Sequence, residues 1–156
     1  AIAAHPTMYA GVQFRSRLEA RWACFFDLIG WEWDYEPLDI LGWTPDFRVK
    51  FPCGHSECSG FHVLLVEVKP YFSLDAFAGH RCMDFPFGGY ERSEGGKGVI
   101  PADASAAFGN TPRVTYWEMA HGAGGGVEEL ENWVSWNCDI DGLWKRAGNT
   151  VQRHPK

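Results

Sequence analysis

Glu67 and Lys69 flank a single valine in "LLVEVKP", and Asp46 follows Pro45 in "TPDFRVKF". Both stretches otherwise read as buried strands. Side chains alternate along a strand, so Glu67 and Lys69 share one side and Val68 takes the other. An unpaired buried carboxylate is costly, so such groups are normally paired or bound to a metal. Two carboxylates held close repel unless a divalent cation lies between them. Hard oxygen donors that leave positions for water describe a Mg²⁺ site. A neighbouring lysine there can orient or help deprotonate a water and offset charge on a phosphate. A third acid, Glu19 in "RSRLEARW", sits beside the apolar stripe of a helical pattern. Each group also has an ordinary alternative. Glu67 and Lys69 can be an ion pair at a strand mouth, and Glu19 can pair with Arg15 one turn earlier.

These residues need elements to hold them. Phe14, Leu18, Trp22, Phe25 and Ile29 recur at helical spacing, so residues 13–29 are expected to be a helix ending at Gly30. "WEWDY" at 31–35 alternates with strand period, and Pro37 restricts it to an edge or an end. Residues 46–51 alternate as well. Residues 63–68 form a nearly continuous β-branched and leucine run, as in a strand buried on both faces. Further on, the pattern predicts a short helix over 73–78 capped by Ser73, a short strand at 99–100 and a better one over 114–119. "HGAGGG" at 121–126 reads as a loop. A short helix is expected over 128–136, and a last one around 143–147 closing at Gly148. The glycine-rich 85–98 stretch is a loop by composition, and its spacing does not make a P-loop. The expected class is α/β, a central mixed sheet flanked by helices, in one domain over 1–156.

"PD" at 45–46, "EVK" at 67–69 and the helical Glu19 before them resemble the PD-(D/E)xK nuclease superfamily. The likeness spans roughly residues 11–71. Their order, spacing and strand context are more specific than any one piece. It implies a restriction-endonuclease-like fold. It also implies that Asp46 and Glu67 ligate Mg²⁺ or Mn²⁺ with the backbone carbonyl of Val68, and that Lys69 positions or activates the attacking water. Glu19 would bind a second metal or a metal-bound water. The implied reaction is phosphodiester hydrolysis in DNA, with RNA also open, by a structure- or end-directed endonuclease. A homodimer suits duplex cleavage, and a protein partner could supply sequence specificity. By analogy, such a chain suits a phage or mobile element. The alternative is a non-catalytic nucleic-acid-binding or assembly module on the same fold.

A second set of residue types points to another metal. Cys53, His55, Cys58 and His62 are candidate zinc ligands in a turn-rich loop, against the alternative of free thiols. Zinc there would staple the loop between the two strands that carry the acids. Arg15, Ser16, Arg17 and Arg21 surround Glu19 and are candidate phosphate contacts, against the alternative of a solvated helix face.

Composition narrows the classes. An apolar share of 46% excludes disorder. A net charge of −6 argues against coating nucleic acid by bulk charge, but permits a local basic groove. Five scattered cysteines argue against a full disulfide framework. No apolar run reaches membrane-spanning length, and no basic apolar leader is visible. A soluble, cytoplasmic protein with no membrane partner is expected.

Overall fold

The computed structural model describes residues 6–40, 42–84 and 102–151. Its elements run β1 (Thr7–Tyr9), β2 (Val12–Phe14), α1 (Arg17–Ile29), β3 (Glu32–Tyr35), β4 (Phe47–Pro52) and β5 (Phe61–Val68). Then follow 3₁₀ turns at Leu74–Phe77 and Arg81–Met83, β6 (Ala104–Phe108), β7 (Thr115–His121), β8 (Gly124–Glu128), a 3₁₀ turn at Leu130–Trp133 and α2 (Ile140–Thr150). β1 and β2 form a small hairpin. The other six strands make one sheet in the order β3-β4-β5-β6-β7-β8, antiparallel except between β5 and β6. The class is therefore α/β, a mixed sheet flanked by helices.

The first helix starts four residues later than its apolar stripe suggests. Ser16 is extended and its Oγ accepts from the Glu19 amide, which caps α1 at its first turn. Phe14 is buried, but from β2, so the stripe crosses an element boundary. Gly30 closes the helix in the left-handed region at φ 82, and its amide and that of Trp31 reach back to Asp27 and Phe26.

β5 is the centre of the structure. Leu64, Val66 and Val68 join the larger apolar cluster with Phe47, Val49 and Phe51 of β4, Trp22 and Phe25 of α1, and Trp144 of α2. On the other face Leu65 joins Ile40, Trp43, Phe77, Cys82 and Ala107. Glu67, two residues beyond Leu65, follows that second face. The helices are tied together where the Arg21 guanidinium lies 4.1 Å from the centre of the Trp144 ring and donates twice to the Trp144 carbonyl.

Several local expectations are corrected. β6 was not expected, because alanine and serine are weak strand formers; here Ala104, Ala106 and Ala107 are fully buried between β5 and β7. Part of "HGAGGG" is a tight turn into β8. Gly125, at φ 143, sits there against the Met119 carbonyl, where a side chain would collide. Residues 73–78 and 128–136 contain 3₁₀ turns, not α-helices, although Ser73 does cap the first. α2 continues past Gly148 to Thr150; that glycine lies against Arg21, where a side chain would displace the guanidinium. The expected 99–100 strand and the 85–98 loop lie outside the described residues. All five cysteines are free. Among the described residues no helix is long and apolar enough to cross a membrane.

Trp22 is fully buried, and its Nε1 donates to the Gly109 carbonyl at 3.0 Å. Trp22→Ala is expected to destabilise the chain by about 3–5 kcal/mol in urea unfolding. Phe72, 78% exposed, should tolerate alanine within about 0.5 kcal/mol.

Candidate active site and a second cluster of metal-ligand residues

The antiparallel register pairs Phe47 with Val66, which carries Asp46 opposite Glu67 where β4 begins and β5 ends. Three backbone contacts hold Asp46 there. Its amide donates to the Val66 carbonyl at 2.9 Å, its carbonyl accepts from the Glu36 amide at 2.8 Å, and its Oδ2 accepts from the Val68 amide at 2.7 Å. Val68 thus orients the carboxylate through its N–H.

Glu67 is fixed from two sides. Oε1 accepts from Trp43 Nε1 at 2.8 Å, and Oε2 lies 3.1 Å from Lys69 Nζ and 3.5 Å from His80 Nε2. The expected common side of Glu67 and Lys69 is therefore observed. The His80 ring stands edge-on to Trp43, and its Nδ1 accepts from the Cys82 amide, so its hydrogen is on Nε2, facing Glu67. Glu19 enters from α1, and its Oε1 accepts from Tyr35 Oη at 2.7 Å. Arg15 does not pair with it, because Arg15 holds Glu36 at 2.6 Å.

Glu19, Asp46 and Glu67 are each less than a tenth exposed. Burial pushes the Asp46 carboxyl up to about 8, and the neighbouring charge of Glu67 adds to this. The Val68 amide opposes the rise, while the charge of Glu19 and a side-chain hydrogen bond with it raise the value further. Partial burial pulls Lys69 down, but its hydrogen bond and ion pair with Glu67, and the charge of Asp46, outweigh that and leave it above its ordinary value. Lys69 is therefore a firm cation in this pocket.

Trp43, Tyr35 and His80 were not foreseen as parts of the site. Trp43 and Tyr35 are of types that commonly pack in a core and His80 of one with many uses, and only the folded chain shows which carboxylate each meets. The four candidate phosphate contacts divide. Ser16 is the helix cap, Arg15 is ion-paired with Glu36, and Arg21 braces α2 through Trp144. Arg17 is exposed at the start of α1.

The second cluster differs from the expected one by one residue. Cys53, Cys58, His62 and His121 bring four donor atoms within 4.8 Å of one another, close enough to hold a metal ion. His121, the last residue of β7, stands where His55 was expected. The His55 ring instead packs on the His121 ring at 4.8 Å, and its Nδ1 accepts from the Glu57 amide. Among the described residues this is the one group of three or more such side chains so tightly gathered, so the three acids are more loosely grouped.

No protein-family model, curated protein or solved structure matches this chain.

A carboxyl whose folded pKa exceeds its unfolded value binds more protons in the folded chain between the two values. The stability that Asp46 contributes is therefore complete below its ordinary value of 3.8 and is lost as pH rises through about 8. Asp46→Asn removes this dependence. In magnesium-free buffer the variant should gain stability relative to the native chain between about pH 5 and pH 8, read by urea unfolding. A difference that stays constant across that range contradicts the assignment.

Proposed function

We propose that the chain is a metal-dependent nuclease of the PD-(D/E)xK kind, with a restriction-endonuclease-like fold, that hydrolyses phosphodiester bonds in DNA. One observation carries this reading: the buried Asp46 carboxyl is held between Glu67 and Glu19 where β4, β5 and α1 converge, with Lys69 against Glu67. A buried carboxyl with a raised pKa, set among other carboxylates with the Lys69 ammonium alongside, suits a divalent cation. Val68, Tyr35 and Trp43 each hold one carboxylate oxygen, the outer support that metal-binding carboxylates need.

In this proposal Asp46, Glu67 and the Val68 carbonyl hold Mg²⁺ or Mn²⁺, with Glu19 holding a second ion or a metal-bound water. The ion, when bound, polarises the phosphate and acidifies a water. Lys69, kept protonated by its carboxylate neighbours, orients that water and offsets negative charge on the phosphate instead of abstracting a proton. Trp43 and His80 keep Glu67 turned toward the site. The cluster of two thiols and two imidazoles suits Zn²⁺ and not Mg²⁺, and takes no part in this chemistry. The looser grouping of the three acids favours the second reading, a non-catalytic nucleic-acid-binding module.

Plasmid, branched and single-stranded DNA, with RNA alongside, are incubated with Mg²⁺ or Mn²⁺. Cleavage is expected, lost with chelator and in Asp46→Ala. Lys69→Ala should slow it on the order of 10²–10³-fold. Binding without cleavage of any substrate under either metal supports the module reading. Equal cleavage by native chain and both variants sinks the site assignment.

A further inference from the structure

We infer that Cys53, Cys58, His62 and His121 bind one structural Zn²⁺, with Asp103 as the outer residue that orients His62. The site lies at the end of the sheet away from the acids. Cys53 follows the last residue of β4, His62 is the second residue of β5, Asp103 directly precedes β6, and His121 is the last residue of β7. β4 and β7 run one way and β5 and β6 the other, so these positions share one sheet end. Asp46 and Glu67 occupy the opposite end. Glu67 lies five residue steps along β5 from His62, roughly 16 Å of extended chain.

The donor set is the one zinc prefers, two thiolates and two imidazoles. Cys53 Sγ already lies 3.3 Å from His121 Nε2. The loop is shaped to present its two cysteines. The Cys53 amide donates to the Gly60 carbonyl at 2.9 Å, and the Cys58 amide donates to the His55 carbonyl at 3.0 Å.

His62 supplies an independent observation. It is 4% exposed, and its Nδ1 lies 3.3 Å from Asp103 Oδ2. The same Oδ2 accepts from the Val63 amide at 2.8 Å, and the Asp103 amide donates to the Val63 carbonyl at 2.7 Å. Asp103 is thus locked in place and holds Nδ1–H. That leaves Nε2 as an acceptor, and Nε2 is buried with no hydrogen-bond partner. A buried imidazole nitrogen is not normally left without a partner. A carboxylate on one ring nitrogen with the other aimed at a metal is the usual arrangement of a zinc-bound histidine. Trp133 packs against both His62 and His121, with ring centres 5.3 and 5.0 Å away, and shields the site.

Four protein donors complete a tetrahedron and leave no place for substrate, so the ion is structural. It clamps the 53–62 loop to the end of β7 across the start of β6. The ligand set excludes His55.

The chain is purified without added metal and analysed by inductively coupled plasma mass spectrometry, with one zinc per chain expected. X-ray absorption on the same native protein should show two sulfurs near about 2.3 Å and two nitrogens near about 2.0–2.1 Å. His121→Ala should lose the bound zinc and His55→Ala should keep it. Asp103→Asn should bind about 10–100-fold more weakly in competition with a chromogenic chelator. A native chain that neither carries nor takes up zinc overturns the proposal, as does a shell without sulfur. Retention by His121→Ala with loss by His55→Ala overturns the ligand set. The absorption measurement decides even where a variant fails to fold. Asp46→Asn should load zinc as the native chain does, which separates this outcome from that of the proposed nuclease chemistry.

Discussion

The hydrogen bond from the Val68 amide to Asp46 Oδ2 ties the two charged strands together at one point. It depends on the β4–β5 register, because a slip of one residue would turn Asp46 away from Glu67 and reverse every apolar side chain of β5. That register is held in turn by the burial of β5 on both faces. The larger cluster takes Leu64, Val66 and Val68, and the smaller takes Leu65. The core and the acid pocket are therefore one construction. The apolar residues that make β5 central are the same ones that decide where Glu67 points.

The acids were legible because carboxylates in apolar strands conflict with local expectation, and such conflicts gather at functional sites. Their supports were not. Trp43 lies in a segment without periodicity, and Tyr35 and His80 are residue types with many commoner uses. Their partners are set by tertiary placement, which no local pattern carries. β6 and β8 escaped for a different reason. Their alanines and glycines lack strand preference, and it is pairing with β5 and β7 that makes them strands. The soft-donor cluster was legible in three of its four members. Cys53, Cys58 and His62 stand close in sequence, but His121 comes from a distant strand, and the nearby His55 occupied its place by proximity alone.

The exposed charges follow a simpler logic. Arg113 spans Glu131 and Asp141, so it joins the segment before β7 to α2. Arg21 serves the same helix from α1 through stacking and the Trp144 carbonyl. Two arginines thus fasten α2, which packs on the larger cluster through Trp144 and Ala147. A cationic side chain near a candidate nuclease site is therefore not by itself a nucleic-acid contact; its existing partners decide what it does.

The strand order also separates local pairings from distant ones. β3, β4 and β5 pair antiparallel with their neighbours in sequence and α1 directly precedes β3, so Glu19, Asp46, Glu67 and Lys69 meet through short loop closures. The parallel β5–β6 pairing closes a much longer stretch of chain, and the meeting of Cys53 with His121 needs β7 to dock after it. Glu19, Asp46, Glu67 and Lys69 all come from the first 69 residues, whereas the soft-donor cluster needs His121 as its last member. One end of β5 is thus built from chain close in sequence, and the other from chain that is distant.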